Sequence, residues 1–275
     1  MIAQFRKREI QEASRQFRKK CRIDDYGIAD LFKECELAGC VVIRYPLEAG
    51  AISGMTMEME GEQIIYTNSA ERLSRELFTL AHEIGHLRLH FTHSVRTFED
   101  SAESLSWRVK NEMEEEANLF AACLLMPEAE VKEYVHLRLG EKKPAEWTAL
   151  DIANMMVAFQ VSYELILNRL ENLSVINSGE RKRLEMQKGE YRVTKLLQLT
   201  GNAGRLNERT NEKRLPLKYL QWVIHNYNHS IIPLETLEKA LCYFDLSVQD
   251  ISDEIKLKED DVERLSFDQL LKERP

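Results

Sequence analysis

The clearest amphipathic pattern in the chain covers residues 73–91, where apolar side chains recur every three or four positions. Because an α-helix completes a turn in about 3.6 residues, this spacing predicts a helix with one buried stripe. The stripe consists of Leu73, Leu77, Leu80, Ala81, Ile84, Leu87 and Phe91. Gly85 interrupts the helix, and a glycine inside a helix costs about 1 kcal/mol relative to alanine. We therefore expect another backbone to pack closely against that turn.

Three shorter segments ahead of this helix have the pattern of β-strands. Residues 41–45 are mostly β-branched, residues 52–59 alternate between apolar and polar side chains, and residues 63–66 follow after a turn at Gly61. Such segments predict a small, mostly antiparallel sheet with a hairpin. Because residues 52–58 carry few charges, we expect this strand to lie at the sheet edge, where it could pair with an extended peptide.

Helical periodicity returns after the central helix. Residues 107–126 predict a second amphipathic helix, which ends before Pro127 because proline cannot continue it. Residues 148–173 predict two short helices that close the core, with a helix-turn-helix as the alternative, and residues 182–199, 216–227 and 233–244 also have helical patterns. The predicted fold class is α+β, a small mostly antiparallel sheet packed on helices, followed by an all-α C-terminal domain. We place the boundary after residue 178, which gives domains of residues 1–178 and 179–275.

The composition is that of a globular protein. The 275 residues are 44% hydrophobic, enough for one large or two smaller cores. The five cysteines have neither paired nor metal-type spacing, and their odd number argues against a disulfide framework. No run of about 18 apolar residues occurs, and the charged N-terminus is not followed by the apolar core of a signal peptide. We therefore expect a cytoplasmic protein with no membrane partner.

Charge is unevenly distributed along the chain. Residues 1–178 hold 21 basic and 29 acidic side chains, residues 179–217 hold 10 basic and 5 acidic ones, and residues 218–275 hold 7 and 12. The basic segment suits a nucleic acid or an acidic partner, but Tyr191 is the only aromatic residue within it. We interpret the segment as a solvated helix and linker. Direct nucleic-acid binding is not expected, although the segment leaves that alternative open.

Two histidines and a glutamate on the central helix indicate a catalytic metal site. His82 and His86 are four residues apart, so both imidazoles lie on one helix face and can reach the same ion. Glu83 completes a His-Glu-x-x-His motif, in which the glutamate accepts a proton from water. The pattern predicts one Zn²⁺ per chain, with His82 and His86 as ligands and Glu83 as the catalytic acid/base.

A third ligand is required, because catalytic zinc usually has three protein ligands and one open position. The glutamates at the start of the second helix are the candidates. At about 100° per residue, Glu114 lies at the border of the buried stripe, whereas Glu112 and Glu115 point to the opposite side. We choose Glu114 as the metal ligand, and Glu116 and His90 are its rivals.

Two further residues are placed behind the ligands. Asn118 follows Glu114 by four positions and shares its helix face, so its amide can hydrogen-bond a ligating side chain. His90 follows His86 by the same spacing, but three histidines in a row point progressively around the helix axis. We therefore expect Asn118 and His90 to contact the metal ligands without binding the metal themselves. The sequence does not indicate which residues bind the substrate.

Two stretches of this region resemble the ImmA/IrrE family of zinc metallopeptidases. The first is Phe-Thr-Leu-Ala-His-Glu-Ile-Gly-His-Leu at residues 78–87, and the second is Glu-Glu-Glu-Ala-Asn-Leu-Phe-Ala-Ala at residues 114–122, followed by Leu-Leu-Met-Pro. The resemblance covers roughly residues 20–175. It implies His82, His86 and Glu114 as metal ligands and Glu83 as the catalytic acid/base. It also implies a protein partner, a helix-turn-helix transcriptional repressor of a mobile element or a stress response, as the substrate.

Two functions from different classes are compatible with these patterns. The first is a zinc-dependent endopeptidase, and the second is a non-proteolytic DNA-binding or sensory regulator with a structural zinc site. We favour the enzyme, because a structural site needs no Glu83 and usually has no open coordination position. The C-terminal domain contains no motif that indicates a chemical function, and we interpret it as a regulatory or partner-docking module.

Overall fold

The computed structural model describes residues 2–48, 51–59, 61–91, 97–100, 111–201 and 205–256, with the backbone alone for 97–100. The chain divides into two compact units, Met1–Glu212 and Lys213–Pro275. The first unit combines helices with two small sheets, and its core is a single cluster of apolar side chains. The predicted α+β class is confirmed.

The sheets occupy the first half of the first unit. A two-stranded ribbon is formed by β1 (Ile23–Asp24) and β2 (Gly27–Ile28). The main sheet contains β3 (Cys40–Tyr45), β4 (Gly54–Met59), β5 (Glu62–Asn68) and β6 (Thr97–Asp100), in the order β3-β5-β4-β6. β3 pairs with β5 in parallel, whereas β4 pairs with β5 and with β6 in the antiparallel direction.

The position of β4 corrects the prediction that residues 52–58 form an edge strand. β6 pairs with β4 from Gly54↔Asp100 to Met57↔Thr97, so both sides of β4 are hydrogen-bonded over these residues. Met57 in this strand is paired with Thr97, so this part of β4 is not open to an added peptide strand. The edge of the sheet on this side is β6, a four-residue strand in a segment without apolar alternation.

Nine α-helices surround the sheets in the described part of the first unit. They are α1 (Gln4–Arg18), α2 (Leu31–Leu37), α3 (Leu73–Leu89), α4 (Glu112–Leu125), α5 (Glu128–Tyr134), α6 (Ala149–Phe159), α7 (Tyr163–Asn172), α8 (Ser178–Tyr191) and α9 (Val193–Leu199). α3 is the central helix, and it packs along α4 and against β4 and β5. α1 packs against α4 and also contacts α3. Residues 101–110, which include the predicted start of the second helix, lie outside the described residues.

The division between the units lies after Glu212 rather than after residue 178. The reason is that α8 and α9 bury Leu184, Leu196 and Leu197 in the core of the first unit. These apolar residues are sparse in a strongly charged segment, so its composition resembles that of a linker. The basic segment of the sequence is therefore largely part of the first unit.

The second unit has a core of its own. Its described residues contain α10 (Leu217–Asn228) and α11 (Leu234–Cys242), followed by a short 3-10 helix at Val248–Ile251. Tyr227, Leu237 and Leu241 are fully buried in this core. Residues 213–256 contain no strand.

Within the described residues, no single helix is long and apolar enough to cross a membrane. α6 and α7 together meet that test on length and composition, but they bend by 97° at the break between them. Both helices contribute fully buried side chains, such as Ile152 and Ile166, to the core of the first unit. The expectation that this helix pair closes the core agrees with that burial.

Candidate metal centre

α3 is fixed at its start by contacts with two distant parts of the chain. The buried Glu76 receives two hydrogen bonds from Arg44 of β3, at 2.8 and 2.7 Å, and one from Thr67 of β5 at 2.9 Å. Arg44 also forms an ion pair with Glu212 at the end of the first unit. The N–H of Leu73 donates to the carbonyl of Glu208 at 2.8 Å, which satisfies one of the free donors at a helix start. The central helix is thus anchored before it reaches its histidines.

α4 lies against α3 at Gly85, as the sequence predicts. A Cβ atom at this glycine would be 3.2 Å from Ala117 Cα and 3.2 Å from the Phe120 ring. Such contacts are tighter than ordinary van der Waals packing, so glycine allows the two helix backbones to approach each other. This approach brings Glu114, one turn before Ala117, next to the histidines of α3.

His82, His86 and Glu114 form one buried group whose ligand atoms all lie within 4.8 Å of one another. His82 Nε2 is 2.9 Å from His86 Nε2 and 3.2 Å from Glu114 Oε2, and His86 Nε2 is 3.6 Å from Glu114 Oε1. In a tetrahedral zinc site with bonds of about 2.0–2.1 Å, ligand atoms stand about 3.3 Å apart. The donor set and its spacing therefore fit a divalent metal ion of the zinc type.

Asn118 forms a hydrogen bond with Nδ1 of His82, the ring nitrogen that is not directed at Glu114 and His86. Its Oδ1 lies 3.0 Å from His82 Nδ1, and an amide oxygen can only accept a hydrogen bond. The proton of His82 is therefore placed on Nδ1, which leaves the Nε2 lone pair directed toward Glu114 and His86. This is the supporting role that the sequence predicts for Asn118.

His86 is held by a longer chain of hydrogen bonds. Its Nδ1 lies 2.9 Å from Nδ1 of His90, and His90 Nε2 lies 3.0 Å from Glu116 Oε2. Arg6 of α1 then donates two hydrogen bonds to Glu116, at 2.8 and 2.6 Å. The chain is consistent when His86 donates from Nδ1 and His90 donates from Nε2, which directs the Nε2 lone pair of His86 toward the metal position.

The pKa values of Glu116 and His90 in this series of hydrogen bonds support the same protonation states. The hydrogen bond from Arg6 lowers the pKa of Glu116 below its usual range, so Glu116 is a carboxylate at neutral pH. Burial lowers the pKa of His90, and this effect outweighs its hydrogen bond with Glu116. His90 is therefore neutral at pH 7 and keeps an acceptor nitrogen for His86.

Glu83 lies on the sheet side of α3 and is fully buried. A Cβ atom at Gly54 of β4 would overlap Oε1 of Glu83 and Cγ2 of Thr79. The missing side chain at Gly54 therefore makes the space that the Glu83 carboxylate occupies.

The structure brings together most of the predicted site residues. His82, His86 and Glu114 form the metal group, and Asn118 and His90 lie directly behind it. Glu116, a rival ligand in the sequence, instead binds His90 and Arg6. Glu112 is exposed and Glu115 is partly exposed, as their helix positions predict. Sequence reasoning missed Arg6 and Gly54, because their contacts with the site come from distant parts of the chain.

A His-Glu-x-x-His helix with a glutamate from a neighbouring helix defines the metallopeptidase-like class of protein. Residues 35–171, about half of the chain, match the Peptidase_M78 family, described as the IrrE N-terminal-like domain. The chain belongs to this family, and the resemblance to ImmA/IrrE metallopeptidases is confirmed. A search of curated proteins returns no match to the chain.

Proposed function

We propose that this protein is a zinc-dependent endopeptidase whose substrate is a helix-turn-helix transcriptional repressor. The observation that supports the peptidase activity best is the buried group of His82, His86 and Glu114 with Glu83 on the same helix. Membership in the Peptidase_M78 family supports a metallopeptidase-like function. The repressor as substrate follows from the resemblance to ImmA/IrrE proteins alone.

In the proposed mechanism, His82, His86 and Glu114 hold one Zn²⁺. When bound, zinc supplies Lewis acidity, which polarises a water molecule and the scissile carbonyl group. Asn118 and His90 keep both imidazoles in the tautomer that presents Nε2. Glu83 accepts the proton of the attacking water and returns it to the amine nitrogen of the leaving peptide. Gly54 leaves the Glu83 carboxylate room beside the sheet.

The test uses the purified, zinc-loaded chain and the repressors encoded next to its gene. We expect fragments of one repressor in intact-mass analysis, with a single new N-terminus. Glu83→Gln should keep the metal but cut about 10²- to 10⁴-fold more slowly, since glutamine cannot accept the proton. Glu112→Gln is the matched control, because Glu112 is exposed on α4, and it should cut like the parent.

Two outcomes would overturn the proposal. Equal cleavage by Glu83→Gln and by the parent would mean that the activity comes from another site or a contaminant. Relief of repression in cells by Glu83→Gln, without any fragment, would favour the alternative, a non-proteolytic regulator with a structural zinc site.

A further inference from the structure

A polar pocket lies beside the start of the metal-binding helix. It has a volume of about 730 Å³ and lies between α3, α7 and α8, within the first unit. We call it the α3–α7 pocket and define it by Arg72, Ser74, Phe78, Tyr163, Asn168 and Lys188. A second cavity of about 730 Å³ continues from it toward Arg192 and shares Arg72 and Lys188. This size is in the range of sites that bind small ligands or short peptide segments.

Two polar side chains of this pocket are open to it and have no hydrogen-bond partner among the described residues. Ser74 is 5% exposed and Asn168 is 8% exposed, and neither side chain forms a hydrogen bond with any described residue. The Ser74 hydroxyl and the Asn168 amide are therefore available to a ligand without the loss of a hydrogen bond inside the protein. Both groups line the pocket, so a ligand there would meet a hydroxyl and an amide.

The mouth of the pocket is positively charged. Arg181 is already paired with Glu171 at 3.0 Å and with Glu185 at 3.2 Å. Arg72 and Lys188 form no ion pair with the described residues, and Lys188 instead lies over the Tyr163 ring at 5.5 Å. Glu164 is the one carboxylate at this pocket without a basic partner in the described chain. Arg72, Lys188 and Arg192 therefore give the two joined cavities an excess of positive charge.

The pocket is aligned with the metal centre along α3. Ser74, Phe78 and His82 follow one another at four-residue spacing, so they lie on adjoining parts of the helix surface, with Ser74 about 80° around the axis from His82. The rings of Phe78 and His82 are 6.4 Å apart. With a rise of 1.5 Å per residue, Ser74 lies about 12 Å from His82 along the axis. An extended peptide covers that distance in about four residues.

We propose that the α3–α7 pocket binds an acidic side chain of the protein substrate, about four residues from the bond that is cut. Arg72 and Lys188 pair with the carboxylate, and Ser74 and Asn168 donate hydrogen bonds to it. Of these four residues, Lys188 belongs to the basic segment at residues 179–217. This inference rests on the proposed peptidase function for the position of the cut, but the binding itself requires no cleavage.

A nucleic acid fits this site less well. Binding of single strands uses exposed aromatic rings as stacking platforms, whereas Phe78 is 8% and Tyr163 2% exposed. Glu164 and Glu171 also line the pocket, and they would repel a continuous row of phosphates. An acidic peptide places its carboxylates singly and avoids this repulsion.

The test measures peptide binding by calorimetry on the full-length Glu83→Gln chain. The probe is tetraglutamate with blocked termini, and the comparison peptide is tetraglutamine. We expect tetraglutamate to bind at least about tenfold more tightly, because charge-assisted hydrogen bonds are stronger than neutral ones. Equal affinity for the two peptides would overturn the proposal.

Substitutions locate the binding in the pocket. Arg72→Glu and Asn168→Leu should each weaken tetraglutamate binding by about tenfold, since each removes a hydrogen bond to a carboxylate. Arg8→Glu makes the same charge change at an exposed position of α1, and it should bind like the parent. Arg72 is also exposed, so its substitution keeps the test valid if Asn168→Leu fails to fold. Parent-like affinity in Arg72→Glu would overturn the proposal.

Two competitors decide the class of ligand. Glutarate tests a free dicarboxylate, and octathymidylate tests a nucleic acid. Calorimetric competition in which either compound displaces tetraglutamate and binds more tightly than tetraglutamate would replace the proposed peptide with that class of ligand. A protein that binds tetraglutamate but leaves every repressor uncut would refute the peptidase function and leave the pocket assignment standing.

Discussion

At the scale of single residues, His82 and His86 are held by different groups through their second ring nitrogen. Asn118 holds His82 by one neutral hydrogen bond. His86 is held through His90, Glu116 and Arg6, a chain that ends at a cation on α1. We therefore expect the orientation of His86 to depend on more residues than the orientation of His82 does.

Glu114 provides the first test at this scale. Glu114→Gln replaces an anionic ligand by a neutral amide, and we expect the purified protein to lose most of its zinc, because two histidines alone leave the site incomplete. Metal analysis after dialysis measures the loss. Glu115→Gln, next to it but partly exposed, should retain one zinc per chain. Full occupancy in Glu114→Gln would assign the third ligand to another residue.

His90 provides the second test. His90→Leu removes the acceptor for His86 Nδ1, and we expect zinc affinity to fall by about 10- to 100-fold, the usual cost of losing such a supporting residue. His90→Asn is the matched variant, because its Oδ1 can take the position of the ring Nδ1 and accept the same hydrogen bond. Competition with a chelator measures both affinities. Similar losses in the two variants would mean that His90 acts only by packing.

At the scale of helices and strands, the site depends on the close approach of α4 to α3. Gly85→Ala should destabilise the protein by about 1–3 kcal/mol, because the added methyl group meets the backbone of α4 and not a flexible side chain. Urea denaturation measures this change. Gly189→Ala on α8 is the control, since its Cβ meets no atom within 4 Å; it should stabilise by up to about 1 kcal/mol through helix propensity. Stabilisation by both substitutions would contradict the packing argument.

β4 provides a test that separates chemistry from metal binding. Gly54→Ala places a methyl group where the Glu83 carboxylate lies. We expect cleavage of the proposed repressor to fall by about 10²-fold or more, since the catalytic acid/base is displaced, while the zinc content stays at the parental level. Ala51→Gly, in the loop before β4, should cut normally. Loss of zinc in Gly54→Ala would mean that the strand supports the ligands as well.

Elements with a strong local pattern are readable from the sequence, and those defined by distant contacts are not. The stripe from Leu73 to Leu87 predicts α3, and the same periodicity brings Glu114 to the correct face of α4. β6 has no such alternation, so its pairing with β4 and the loss of the free edge were not predicted. The role of Arg6 cannot be predicted from a local pattern either, because its partner Glu116 is 110 residues away.

At the scale of the whole molecule, the segment that leaves the first unit also stabilises it. Leu206 is buried in the core, Ser69 donates to the carbonyl of Glu212 at 2.7 Å, and Asn211 donates to the carbonyl of Ser69 at 2.9 Å. Together with the Leu73–Glu208 hydrogen bond, these contacts attach residues 205–212 to the start of α3. A charged segment after a helix therefore belongs to the folded unit and does not act as a free linker.

Truncation tests this assignment. A chain that ends after Glu212 keeps all of these contacts, and we expect it to melt as the first unit does in the full chain. A chain that ends after Gly201 loses Leu206, the ion pair of Arg44 with Glu212 and the hydrogen bond of Leu73 with Glu208, and its Tm should be lower by about 5 °C or more. Calorimetry of the two truncated chains measures the difference. Equal Tm values would show that residues 205–212 contribute no stability.

Helix α1 lies outside the residues that match the family, yet it supports the candidate metal centre. The family match starts at residue 35, yet Arg6 supplies the positive charge that balances Glu116 at the end of the His86–His90 chain. A fragment cut at the family boundary would leave that carboxylate buried without its cation, a costly arrangement. The stretch that matches the family is thus shorter than the stretch whose side chains support the candidate metal centre.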